Sequence, residues 1–548
     1  MNTGRPNQPT VRLKKPGFAS STKGGVRWWP LLLIVSVVLG YTVFTWAVRD
    51  IQRQDKLIHS AVAGVVGLIL SIVWCLLLSR LKWQFRLSSI LLLVLSLTAL
   101  WSSLKFRSFS GDMIPQFDWK WNVAMERVNP PKATNNVNEI GDSNNIVIYD
   151  FTQFLGPDRD VIIEGVILAR DWTFEPPQQI WRRSVGGGWA GFATSGSVAV
   201  TIEQDGENEV VSCYRLLSGN PVWRHSYSAR FDSGIGGIGP RTVPTIVENR
   251  VYALGATGVL TCLDLANGRS IWSKNILTIN NASLPDWGVA GSPLVVGSKV
   301  IVSVGGSNGN SLVAYDAENG DKIWGGGDDR ASFSAPILAN LAGTDQVLIF
   351  NKPGVSSHAV ADGMVLWKYP WGTGNPHVAV PKIVSSDTVF LSSGYGVGSE
   401  LLKIEVSTDG NLAAERVWKS LRMKAKFCNV ARVGDFIYGM DDGIMACLDL
   451  EDGSRRWKEG RYGHGQLLVV GDLMLITTEK GDVVLFEPNP DEPKELARFT
   501  AFNHKLWNPP ALAGQLLLVR TDREAACYLL PVVDPDKVEE SVDQRAAN

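Results

Sequence analysis

Two hydrophobic patterns divide this chain. Up to about residue 105 the apolar positions run in three long blocks, Trp29–Ala47, 57–78 and 87–104. Each is about 20 residues, enough for a helix to cross the hydrocarbon core of a bilayer. From about residue 171 to 532 the apolar positions come instead in short runs, broken by Asp, Asn and Gly. Such runs predict strands joined by tight turns.

Within that second region one unit recurs. At its clearest it reads Leu263-Asp264-Leu265-Ala266-Asn267-Gly268 and closes on Trp272. It returns with Asp316, Gly320 and Trp324, and again with Asp449, Gly453 and Trp457. Weaker copies carry Gly219 and Trp223, Gly363 and Trp367, and a longer loop ending at Trp418; in another, Phe499 replaces the Trp. The Asp and Gly supply the side-chain acceptor and the positive φ that a tight turn needs. The Trp is large enough to pack between neighbouring sheets. Between these hairpins lies a second type, an apolar strand, a polar turn and another apolar strand, as in Pro244 to Ala253.

The two hairpin types do not match in number. Trp181 ends a strand with no partner before it, while 512–530 supplies three strands with no last strand after them. Joining the two completes an eighth unit from both ends of the region. Four strands per period of roughly 40–50 residues is the size of a propeller blade. The predicted fold is therefore an all-β, eight-bladed propeller over 171–532, preceded by three N-terminal transmembrane helices.

The units resemble the pyrroloquinoline-quinone (PQQ) repeat, whose blades carry small-Leu-Asp-x-x-x-Gly-x-x-x-Trp. The segment Phe154-Leu155-Gly156-Pro157-Asp158-Arg159-Asp160 is similar to the lead-in of BamB-like or PQQ-like bacterial propellers. The resemblance implies the ring fold and two kinds of function. One is a non-catalytic binding or scaffold module of BamB type. The other is a PQQ-dependent quinoprotein oxidoreductase similar to alcohol dehydrogenases, a class that carries adjacent bridged cysteines, calcium ligands and an Asp base. This chain has no Cys-Cys pair, so no cofactor is expected and PQQ stands only as the alternative. A ligand-binding sensor is a third reading.

The N-terminal third predicts a basic tail at 1–27, the helices at 28–105, and a linker with lead-in at 106–170; a polar tail follows at 533–548. The first apolar block is too long for a signal peptide, and no small-x-small cleavage site follows it. Arg5, Arg12, Lys14, Lys15, Lys23 and Arg27 precede it without an acid, and Arg80, Lys82 and Arg86 lie between the second and third blocks. The positive-inside rule then predicts a multi-pass protein of the inner (cytoplasmic) membrane with its propeller in the periplasm. Asn129-Pro130-Pro131 and 135–145 read as loosely ordered linker. The aromatic stretch Phe117-Asp118-Trp119-Lys120-Trp121 fits either a membrane surface or the propeller.

Candidate chemistry is sparse. Cys213, Cys262 and Cys447 each precede their blade's Trp by ten positions, and Cys527 occupies the same register. Equivalent positions in different blades lie too far apart for disulfides, so these read as small buried packing residues. Asp286, beside Trp287, and Asp329 are candidate funnel groups; an exposed loop carboxylate is the simpler reading of each acid. His377, His464 and His504 precede the first strands of their blades and are the candidate metal ligands. None has a sequence-local partner, and scattered loop imidazoles are the simpler reading. Gly186-Gly187-Gly188 precedes a strand rather than a helix and so is no phosphate loop. The net charge of -1 gives no basic signal for nucleic acid, and Lys419, Arg422, Lys424 and Lys426 read as a solvated patch. The expected partners are the membrane, and proteins or peptides reaching the propeller loops.

Overall fold

The computed structural model describes residues 25–49, 51–121, 134–135, 146–372 and 374–533. Most of the basic tail, Asn129-Pro130-Pro131, 136–145 and nearly all of the polar tail lie outside them.

The apolar blocks form α1 (Trp29–Ala47), α2 (Arg53–Val73) and α3 (Trp83–Ser103), with a π turn Trp74–Leu78 ending the second. All three are long and apolar enough to cross a membrane. The second and third start four residues earlier than their apolar blocks, at Arg53 and Trp83. Hydropathy marks the membrane-length core of a helix, while its hydrogen bonds continue into the polar flank. Inside this unit Val38 packs on Gly67, where a Cβ would lie 2.7 Å from the Val38 methyl, and the Trp28 and Trp74 rings are 5.7 Å apart. The helices and the region from Leu104 onward, with Ile51–Gln54, are separate compact units.

The second unit is an eight-bladed propeller. Blades 1 to 7 cover 193–228, 245–275, 294–326, 337–370, 382–420, 431–461 and 466–500, each a four-stranded antiparallel meander, strands A to D from the axis outward. Blade 8 takes Ala511–Ala513, Leu516–Arg520 and Glu524–Leu529 from the C-terminal end and Gln178–Ser184 from the N-terminal side. In that seam Trp181 lies opposite Cys527. Closure by strands from both ends leaves no blade incomplete.

The repeat holds neighbouring blades together. Asp264 Oδ1 accepts the N–H of Ala266 and of Asn267 at 3.0 and 3.1 Å, and Asp316 does the same for Glu318 and Asn319. The turn then brings Gly268, at φ +72, under the Trp of the preceding blade: a Cβ there would lie 2.4 Å from Trp223 Cε3. The Trp223 indole donates to Leu265 O at 2.8 Å. Trp181, Trp272, Trp324 and Trp418 make the same bond to the next blade, at Leu216, Ala317, Val360 and Leu450. Blade 4 departs from the pattern. Trp367 donates to Gln346 Oε1 of its own blade, and Gly410 in blade 5 has nothing within 4 Å of its Cβ position.

All four repeat cysteines are free and buried, and each faces its blade's Trp across the C–D ladder, as Cys213 faces Trp223. They fill space that a larger side chain would overpack.

Candidate functional site

The loops that lead into strand A surround the axis. In five blades one residue recurs seven positions before the positive-φ glycine of the A–B turn: Trp189, Ala290, Phe427, His464 and Trp507, before Gly196, Gly297, Gly434, Gly471 and Gly514. Rotational repetition of the backbone delivers these side chains to one ring around the channel. Trp189 and Trp507 are 5.2 Å apart, Trp507 and Phe427 5.1 Å, and Trp287 stacks on Phe333 at 4.9 Å. With Phe154, Arg241, Tyr395 and Lys426 they enclose an axial cavity of about 300 Å³.

One end of the cavity is capped by a hairpin that follows the third helix in sequence. Its strands are β1 (Leu104–Phe109) and β2 (Pro115–Trp119). The tip enters the ring where the D–A and B–C loops lie. Gly111 N–H donates to Glu479 Oε1 at 2.6 Å, and Gly111 O accepts from Lys426 Nζ at 2.6 Å. Phe109 O accepts from Lys505 Nζ at 3.0 Å. Asp112 lies 3.5 Å from His464 Nε2 and 3.6 Å from Arg461. Arg53, in the Ile51–Gln54 segment that clusters with the propeller, pairs with Asp112 at 3.0 Å. Gly111 has no room for a side chain, since a Cβ would sit 1.9 Å from His464 Cδ2. The aromatic stretch at 117–121 is the outer part of this hairpin; Phe117, Trp119 and Trp121 are exposed, and the two indoles stack at 4.5 Å.

The lead-in segment closes the other end, near the A–B turns. Phe151 and Thr194 bond reciprocally in blade 1, and Ile246 N–H donates to Thr152 O in blade 2. Arg159 reaches Pro293 O and Ser292 O, in the loop leading into blade 3, at 2.8 and 3.0 Å. Lys382 of blade 5 donates to Asp160 O at 2.8 Å, and Ile162–Ile163 pairs in parallel with Val469 and Val470 of blade 7. A segment bonded to that many blades crosses the ring. Phe154, from its middle, lines the cavity.

Charge at the capped mouth is mostly positive. Burial pulls the Lys505 ammonium down to about 8. It lies 3.7 Å from the Trp507 ring centroid and 4.6 Å from that of Trp189, a cation–π arrangement. Burial likewise lowers Arg241, to about 10. For Asp112, burial acts to raise the pKa, but the bond to His464 and the charges of His464, Arg461 and Arg53 outweigh it and the net shift is downward. The cavity thus offers aromatic faces and cations. Among the described residues, no carboxylate lines it.

The sequence candidates fall in different places. Trp287 lines the cavity, whereas Asp286 is exposed outside it. Asp329 pairs with Lys368 at 2.9 Å. The three histidines have separate partners. His377 stacks on Phe350 at 4.2 Å and bonds Asn351 O at 2.8 Å; His504 Nδ1 accepts from Arg107 at 3.0 Å. His464 is grouped instead with Asp112 and Asp442, whose ligand atoms lie within 4.8 Å of one another. The guanidinium groups on Asp112 place positive charge where a metal ion would compete for the same carboxylate.

Lys426 overturns the reading of a solvated patch. It is buried at the mouth, while Lys419 and Lys424 pair with Glu400 and Asp441 at 2.8 and 3.0 Å. Sequence reasoning also missed Lys505, Trp189, Phe427, Trp507 and the hairpin. The spacing to the turn glycine was the available signal for the three aromatics.

The family model described as "Outer membrane protein assembly factor BamB" matches residues 175–285 and 207–459, together more than half of the sequence. The chain belongs to this PQQ-repeat, BamB-like propeller family. The outer membrane protein assembly factor BamB of Bordetella pertussis is 25% identical over 357 residues, covering 62% of this chain and 83% of that protein. The quinohemoprotein alcohol dehydrogenase of Comamonas testosteroni is 30% identical over 122 residues, covering 21% of this chain and 16% of the enzyme. The crystal structure of that enzyme superposes with a TM-score of 0.50 at 11% identity, covering 73% of this chain and 83% of the enzyme, a likeness of fold.

These matches correct the expected location. Loop charge predicted the inner membrane with a periplasmic propeller, but the relatives named are outer membrane protein assembly factors. Lys and Arg bias sets the orientation of helices in a bilayer and does not say which bilayer it is. The inner-membrane placement is withdrawn. What stands is a PQQ-type propeller joined to three membrane-length helices, related both to BamB-type scaffolds and to quinoprotein dehydrogenases.

Proposed function

We propose that this protein is a non-catalytic binding and scaffold module, a membrane-anchored propeller that engages proteins or peptides through its loops. The observation that carries the reading is the axial channel: the chain's own hairpin fills one end and its lead-in the other. Binding surface then lies on the loops and rims, which a closed ring holds rigidly. The names of the BamB relatives make assembly of membrane proteins the first process to examine.

The second reading is a quinoprotein oxidoreductase. It is favoured by the axial aromatic cavity and by the segment shared with the alcohol dehydrogenase. The acids named from the sequence do not sit where that chemistry needs them. PQQ dehydrogenases hold calcium and an Asp base at the funnel; here Asp286 is exposed outside the cavity, Asp329 is paired with Lys368, and the cysteines are free.

One experiment separates the two. The full chain in detergent is titrated with PQQ and calcium while absorbance and dye-linked alcohol oxidation are followed, and a parallel sample is cross-linked in membranes. The scaffold reading expects specific protein cross-links and neither saturable PQQ binding nor turnover. Saturable binding with turnover overturns it.

A further inference from the structure

We propose that the channel mouth is a socket for a β-hairpin tip carrying a small residue followed by aspartate. In this proposal β1–β2 is the resident occupant, displaced when a partner protein presents the same turn. The inference rests on the scaffold reading and names the partner chemistry for it.

Main-chain atoms of the tip carry much of the recognition. Gly111 contributes its N–H to Glu479 and its carbonyl to Lys426, Phe109 contributes a carbonyl to Lys505, and Asp112 contributes a carboxylate to His464, Arg461 and Arg53. The tip adds two side-chain features, the missing Cβ at position 111 and the acid at 112, and β1 adds Arg107, which donates to His504 Nδ1 at 3.0 Å. Any hairpin tip with that dipeptide presents the same atoms, and charge-assisted bonds of this kind are the strong ones. Asp112 also neutralises a basic cluster, the electrostatic match that directs a partner to a site.

The socket is also unsuited to standing empty. With the hairpin seated, Lys426 and Lys505 are 2% and 6% exposed; Lys426 also donates to Gln54 Oε1 at 2.6 Å, while Lys505 donates to Phe109 O of the hairpin, and an ammonium that loses its acceptor in such a site is costly. An occupant that presents carbonyl oxygens is therefore favoured, and exchange of one hairpin for another conserves the bonds of Lys426 and Lys505. Because β1–β2 belongs to the same chain, it competes at an effective concentration on the order of millimolar. A free partner must outbid it.

The test uses the full chain in detergent and a backbone-cyclised, fluorescein-labelled peptide with the sequence of residues 104–119. In Gly111→Val protein the resident tip cannot seat, because even a Cβ would lie 1.9 Å from His464 Cδ2. The labelled peptide is expected to bind this variant at least tenfold more tightly than wild type. A peptide with Asp112→Asn is expected to lose at least tenfold in affinity for the variant. Equal affinity for wild type and variant, or for the two peptides, overturns the proposal, as does no binding to a variant that still melts cooperatively. Should Gly111→Val not fold, Asp112→Ala protein serves the same comparison with the same outcomes. Partner cross-links in wild type, together with no peptide binding to the folded variant, sink the socket and leave the scaffold reading in place. PQQ turnover sinks the scaffold reading whatever the peptide does.

Discussion

Trp181 and Cys527 face each other across the seam of the ring, separated by most of the propeller sequence and adjacent in space. The Trp181 indole also donates to Leu216 O of blade 1 at 2.7 Å. One side chain therefore joins the N-terminal strand to the C-terminal blade and that blade to the first.

Trp181→Ala is expected to cost about 3–5 kcal/mol, the range for a large aromatic removed from a packed interior. Cys527→Ala, a change between small buried side chains at the opposite position, is expected to cost about 1 kcal/mol. Urea unfolding followed by tryptophan fluorescence measures both. Equal losses would mean that the seam does not rely on the indole.

The inter-blade clamp makes a second contrast. Gly268 and Gly410 both have positive φ, +72 and +83, but only Gly268 lies against a neighbouring Trp. Gly410→Ala is expected to cost about 1 kcal/mol, the strain of a Cβ in that backbone region. Gly268→Ala adds a collision with Trp223 and is expected to cost at least about 1 kcal/mol more. Thermal melts of the two variants check the difference.

The clamp was legible in the sequence because its parts are dictated locally. A tight turn selects Asp and Gly, and one large aromatic recurs at a fixed distance. Ring closure followed from counting strands on either side of Trp181. The channel mouth was not legible in the same way. Its positions recur at constant spacing, but their types change from Trp189 to Ala290 to His464, so no residue pattern repeats. The hairpin was hidden for another reason: β1 abuts the third apolar block, and the tip Ser110-Gly111-Asp112-Met113 lacks the Asn-Gly or Asp-Gly pair that announces a two-residue turn. Lys426 stood among three other basic residues, and charge in a sequence reads as solvated until a fold buries it.

Asp441 supplies a prediction about acid. It is buried between Lys424 at 3.0 Å and Lys458 at 2.7 Å. Burial acts to raise its pKa, but the two ammonium groups outweigh it and the net shift is downward. A carboxyl depressed on folding contributes stability that is full above its unfolded pKa, near 3.8, and is lost as pH falls through the lower folded value. Asp441→Asn is expected to cost about 1–3 kcal/mol at pH 7, because two half-buried ammonium groups lose their partner. The gap to wild type should narrow below pH 3.8. Urea midpoints at neutral and acid pH test this, and a constant gap would argue against the ion pairs as its source.

Lys505 gives a slope of the same sign at the alkaline end, because its pKa is also lowered on folding. Burial lowers its pKa from 10.5 to about 8. Between those values the unfolded chain holds a proton that the folded one has released, so stability contributed by this group rises with pH across that window. Below about 8 the folded protein carries the full cost of a buried ammonium, on the order of 3 kcal/mol for a shift of this size, less what its bond to Phe109 O and the two indoles return. Lys505→Met removes the titration while keeping most of the side chain's length. Wild type minus variant stability, measured by urea unfolding from pH 7 to 10.5, is expected to climb with pH and level off at the top. A flat difference would place the Lys505 amine in water rather than against the hairpin, and would weaken the case that the mouth needs an occupant.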